Sequence, residues 1–236
     1  MKAMLFSDLI TMRRTLTQLF ATCFICGLVI SFSIGTIAAA GGCFAAAIPM
    51  ASMISVASYD EANNWQCYRF TLPMTRRDVV VGRYLALVVT MVACVVFGAI
   101  ACYLIVGIAS LVDAKEGFLA ALAFGETTHE EIWASLGLGS FVVLIVLAVT
   151  LPLIMRMGLT RGTRILPIVV MFLAVGGFAL FKENGPLGPL AAQLDTTWLS
   201  TPAGVLSASA GLIGVALVAL VVSMIVAIRL YEKRDL

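Results

Sequence analysis

Charged side chains divide this chain into long apolar stretches separated by short polar ones. A helix needs about 20 apolar residues, at about 1.5 Å each, to cross a hydrocarbon layer of about 30 Å. Residues 15–59 form a run of 45 positions without a charge, room for two crossings that turn around Gly41-Gly42. Residues 84–112 give 29 uncharged positions, 132–155 give 24, 165–181 give 17 and 196–228 give 33. Each holds one crossing. The pattern predicts an all-α polytopic membrane protein in one transmembrane domain, with six spans at about 18–38, 42–58, 84–111, 132–155, 165–181 and 207–228.

The flanking segments have patterns of their own. Leu5, Leu9, Met12 and Leu16 recur at spacings of four, three and four, one stripe of a helix. This predicts an interfacial helix along the inner leaflet, the alternative being an early start of the first span. Residues 182–206 contain Pro186, Pro189 and Pro202 among Leu187, Leu190, Leu194, Trp198 and Leu199. They read as a re-entrant or interfacial outer cap before the last span, or as a plain loop anchored by Trp198. Pro49 falls inside the second span and is a candidate hinge or a fixed kink. Ser207, Gly211 and Val215, with Ala210 and Gly214 beside them, offer a close-packing surface on the last span, within or between subunits.

Composition agrees with the pattern. Hydrophobic residues make up 61% of the chain and charged residues 12%, with a mean hydropathy of +1.07, too little polar surface to cover a water-soluble globule. With the N-terminus inside, 13 of the 15 basic residues fall on the cytoplasmic side and only Lys115 and Lys182 outside, as the retention of Lys and Arg in short inner loops requires. Both termini are then cytoplasmic. The net charge of +2 is the sum of two opposite faces and indicates no nucleic-acid partner. The first apolar stretch is too long, and its basic leader too extended, for a cleaved signal peptide.

Candidate chemistry is sparse. Cys23, Cys26, Cys43, Cys94 and Cys102 fall in apolar stretches, where a thiol packs as a small apolar group, and no disulfide framework is indicated. His129 with Glu130-Glu131 reads as part of a solvated acidic outer loop. There is no G-x-x-x-x-G-K-[ST], no G-x-S-x-G and no H-E-x-x-H. Ion-coupled carriers usually place ionisable groups inside their spans, and the six spans carry none. A transporter of this kind draws its energy from another chain.

The connector of residues 63–84, NNWQCYRFTLPMTRRDVVVGRY, is the best place for that contact. Trp65 and Tyr68 are three apart, as are Arg69 and Leu72, so a helix over 64–72 presents an aromatic stripe beside a basic one. Pro73 ends it. Thr75 is placed to cap the next helix, with Asp78 three residues on, near the positive helix start. Arg76 and Arg77 follow at the membrane boundary. The shorter inner loop 156–164, with Arg156, Arg161 and Arg164, offers either a second contact or topogenic charge alone.

The order Trp65, Tyr68, Thr71-Leu72-Pro73, Arg76, Val79-Val80 and Gly82-Arg83-Tyr84 resembles the ABC-2 type permease family, in its small six-span bacterial branch. The local motif covers about 25 residues and the architecture the whole chain. The resemblance implies a permease subunit that forms a homo- or heterodimer with a second permease subunit in the lipid bilayer and binds separate ABC ATPase subunits. The ATPase carries ATP and Mg, while this chain binds no cofactor and is not itself an enzyme. The implied cargo is a peptide, a lantibiotic or a hydrophobic drug-like molecule, exported from the cell. By the same resemblance, residues 60–83 form the ATPase-coupling element, with Trp65, Tyr68, Arg69, Leu72, Pro73, Arg76, Arg77, Gly82 and Arg83 as its positions. Taken singly, the arginines also read as positive-inside anchors and Trp65 as an interface aromatic. The competing functions are a self-sufficient secondary carrier or channel, and a non-transporting immunity or assembly factor.

Overall fold

In the computed structural model the described residues are 2–34, 36–62, 75–111, 129–157, 171 and 201–232. They form five long helices: α1 (Lys2–Ile34), α2 (Ile37–Ala62), α3 (Arg76–Leu111), α4 (His129–Met157) and α5 (Pro202–Glu232). Each contains a segment long and apolar enough to cross a membrane: Thr15–Ile34, Ile37–Ala62, Arg77–Ser110, His129–Arg156 and Ala203–Tyr231. The span expected at 165–181, apart from residue 171, the loop helix expected at 64–72 and the outer cap up to residue 200 lie outside the described residues.

The surface of this bundle is apolar where a water-soluble protein would be polar. Along α3, Leu85, Val89, Val92, Val96, Ile100, Leu104 and Ile108 are exposed at spacings of three and four, Val92 to 61%. The same outward pattern runs over Ile25 and Val29 of α1 and Val218, Val222 and Ile225 of α5. A continuous stripe of this kind on several helices calls for hydrocarbon around it. The interior, apolar in the main, also holds small polar groups. Ser52, Thr90, Ser135 and Thr150 are buried and each hydroxyl donates to a carbonyl three or four residues back, at 2.8–2.9 Å. This is how a hydroxyl is satisfied where no water reaches it.

α2 and α4 pack along each other, with α1 against α2 and α3, and α5 against α4 and α3. One apolar cluster joins Met53 and Val56 of α2, Tyr84 and Leu87 of α3, Leu147 and Leu151 of α4, and Leu220 of α5. A second is built around Phe44, with Ile105, Ile132 and Leu136. The Phe44 ring stands against Gly27 of α1 and meets Phe97 edge-on at 5.9 Å between centroids.

Three expectations are corrected. Gly41-Gly42 is not a turn: α1 ends at Ile34 and α2 begins at Ile37, so both glycines lie inside α2. Their role is close approach to α4. A Cβ on Gly41 would meet the Ser135 hydroxyl, and one on Gly139 would stand 2.5 Å from the Gly42 carbonyl oxygen. In a bilayer, small residues serve helix contact in this way. The N-terminal stripe is not a separate interfacial helix either, since α1 runs unbroken from Lys2. Finally, the last helix starts at Pro202 rather than 207, because a proline in the first turn forgoes only a donor that has no partner there. Thr201 caps it, accepting from the Gly204 N–H at 3.3 Å.

Helix ends also overrun the charge-free intervals. α3 has 36 residues, about 54 Å at 1.5 Å per residue, well beyond the hydrocarbon thickness. Likewise α4 takes in His129, Glu130 and Glu131, the end of the expected acidic loop, as its first turn, where carboxylates are favoured by the helix dipole. Pro49 is buried inside an unbroken α2.

Candidate coupling site

Residues 63–74 join α2 to α3, and the two helix ends that flank them are defined in detail. Thr75 starts α3 through a reciprocal cap. The Asp78 N–H donates to Thr75 Oγ1 at 3.2 Å, and Thr75 Oγ1–H donates to Asp78 Oδ2 at 2.7 Å. The Asp78 carboxylate also accepts from the Thr75 N–H at 3.4 Å. Two backbone donors that the helix leaves open are thereby met by one residue pair, so the cap expected at Thr75 is a reciprocal capping box with Asp78.

Behind that cap lies an ion pair the sequence did not disclose. Arg83 Nη2 donates to Asp60 Oδ2, joining the last turn of α2 to the third turn of α3. Both side chains are withdrawn from the surface, Arg83 at 7% and Asp60 at 9% exposure. A carboxylate near a helix C-terminus is opposed by the helix dipole, and α2 has no basic residue in its last turn. The guanidinium of the neighbouring helix brings an opposite charge to Asp60 at that end. Asp60 and Arg83, which the charge pattern places at the edges of a polar connector, lie inside helices and face the bundle.

A second polar contact follows within one residue of Arg83. The Tyr84 side chain is buried, and its hydroxyl lies 2.8 Å from Ser223 Oγ of α5. Ser223 Oγ–H donates to the Ala148 carbonyl of α4. Since a serine hydroxyl has a single proton, Tyr84 is the donor in the first bond. The Ala148 carbonyl needs an outside donor for a definite reason: its helical partner would be the N–H of residue 152, which is proline. Thus α3, α4 and α5 are tied together at the proline of α4.

The expected coupling positions separate into distinct places. Trp65, Tyr68, Arg69, Leu72 and Pro73 lie outside the described residues. Arg76 is the first residue of α3. Arg77 is exposed, whereas Gly82 and Arg83 are buried. The geometry brings Arg83 together with Asp60, and Tyr84 together with Ser223, neither of which a motif search singles out. Pairs 23 and 139 residues apart leave no local periodicity to find. The only sequence hint of the first was an acid and a base bracketing one short connector.

A family model described as ABC-2 family transporter protein matches residues 3–232. The chain belongs to the ABC-2 transporter family. The match takes in every described helix, and the set of long apolar helices makes this ABC-2 protein a multi-pass membrane protein. No curated protein and no solved structure matches the chain.

Proposed function

We propose that this ABC-2 protein is the permease subunit of an ATP-driven exporter, moved by a separate ABC ATPase subunit that docks on the connector between α2 and α3. The observation that carries the proposal is the family match over residues 3–232. The helix ends around the connector support it, because a cap and a buried ion pair brace the place where force would enter. Trp65, Tyr68, Arg69, Leu72, Pro73, Arg76 and Arg77 supply the docking surface. Gly82 and Arg83 belong to the frame beneath it.

The cargo is a peptide, a lantibiotic or a hydrophobic drug-like molecule, in keeping with an apolar bundle whose buried polar groups are mainly hydroxyls. A second permease subunit, identical or not, completes the pathway. On the side of α5 around Gly211 and Gly214, an added Cβ would meet nothing within 4 Å among the described residues, which suits such a neighbour. Six spans, both termini inside and a bacterial plasma membrane complete the arrangement.

Copurification tests the assignment. The tagged chain is expected to bring down an ABC ATPase, and substitutions over residues 65–77 to abolish ATP-dependent export with the permease still in the membrane. Transport by the isolated chain down an ion gradient in liposomes would falsify it.

A further inference from the structure

We propose that Asp60 and Arg83 are positioning residues: their buried ion pair locks the ends of α2 and α3 into one rigid unit, through which movement imposed on the intervening connector reaches the rest of the bundle. The inference rests on the permease assignment for what does the moving, and on geometry alone for the lock.

Three observations converge. Both charged groups are almost wholly withdrawn from the surface, where two charges are a poor way to gain stability. Well-packed apolar residues of similar volume usually do as well or better, while removal of one partner strands the other. A pair of this kind gives a fixed relative position rather than extra stability. Next, Asp60 sits two residues before the end of α2, and Arg83 a little over two turns into α3. The pair therefore bridges the two helix ends on either side of the connector. Lastly, the neighbours of Arg83 extend the lock: Val80, Tyr84 and Leu87 pack with Met53 and Val56 of α2 in one apolar cluster, and Tyr84 continues through Ser223 to the Ala148 carbonyl of α4. A displacement of the α2–α3 base is thus passed to α4 and α5 through direct contacts.

The experiment uses the full chain with its ATPase in nanodiscs and two pairs of spin labels. One pair, at Ala62 and Leu85, reads the base of the connector beside the ion pair; the other, at Thr36 and Ser110, reads the opposite ends of the same helices. All four positions are exposed. The unsubstituted protein is expected to keep one narrow 62–85 distance with and without ATP and vanadate, while the 36–110 distance shifts on nucleotide. In Asp60→Asn the 62–85 distribution broadens, and the equilibrium for the nucleotide-driven shift falls about tenfold or more, within the ~5–150-fold range common for coupled sites. The charge exchange Asp60→Arg with Arg83→Asp restores both readouts.

The apolar pair Asp60→Leu with Arg83→Met separates positioning from packing, since it restores stability without the directional contact. A full nucleotide response in that variant overturns the proposal, as does an Asp60→Asn protein indistinguishable from the parent. If no ATPase binds the parent protein, the permease assignment fails on its own. The lock is then judged in the chain alone, upheld by a broadened 62–85 distance in Asp60→Asn and overturned by an unchanged one.

Discussion

Ser223→Ala removes the donor to the Ala148 carbonyl and the acceptor of the Tyr84 hydroxyl in a single change. Hydrogen bonds between helices in a bilayer are worth about 0.6 kcal/mol on average and up to ~1.7 kcal/mol, so losing two is expected to cost about 1–3 kcal/mol. The Ala148 carbonyl depends on Ser223 only because residue 152 is proline. Pro152→Ala supplies an N–H four residues on, and in that background Ser223→Ala forfeits the tyrosine bond alone. A double-mutant cycle should therefore show a coupling of about 0.6–1.7 kcal/mol, the worth of one such bond. The assay is reversible unfolding in mixed micelles of mild detergent and dodecyl sulfate, followed by helical circular dichroism. Two substitutions that simply add, within ~0.5 kcal/mol, would refute the claim that Ser223 serves the carbonyl orphaned by Pro152.

Other consequences follow from the contacts described. Gly139→Ala places a Cβ 2.5 Å from the Gly42 carbonyl oxygen and 3.0 Å from its Cα. Backbone cannot yield as a side-chain tip does, so α2 and α4 must part at an expected cost of about 1–3 kcal/mol in the same unfolding assay. Gly211→Ala, which meets nothing within 4 Å, is the control and should match the parent or gain slightly in helix propensity; equal behaviour of the two would contradict the close crossing. Thr75→Ala deletes the cap of α3 at an expected cost of about 1 kcal/mol. It should be read as roughly fivefold faster amide exchange at Asp78, with Thr75→Ser retaining protection.

How much of this was legible in the sequence depends on how local the cause was. Crossing helices could be read because bilayer thickness sets a minimum apolar length, which α3 and α4 satisfy plainly. The cap at Thr75 could be read because Thr and Asp three residues apart carry the whole interaction between them. Helix bounds were misjudged wherever a charge was taken as an end. A helix keeps its backbone bonds past the hydrocarbon, and Asp60 and Arg83 show that a charge inside it can be met by one on the next helix. Gly41-Gly42 misled for a different reason, since two adjacent glycines suit a turn as well as a close crossing, and only α4 with Ser135 and Gly139 decides between them. The tie from Tyr84 through Ser223 to Ala148 needed three helices in place before any of its parts had meaning.

The central claim is that a separate ATPase grips this chain on the connector between α2 and α3, and photo-crosslinking tests it most directly. A photoreactive amino acid is placed singly at Trp65, Tyr68 and Arg77, and at Lys182 and Glu183 as positions expected on the opposite membrane face. The account predicts a permease–ATPase adduct from the first three sites and none from the last two. Adducts from residues 182 and 183, or an ATPase that copurifies yet never crosslinks to the connector, would contradict it.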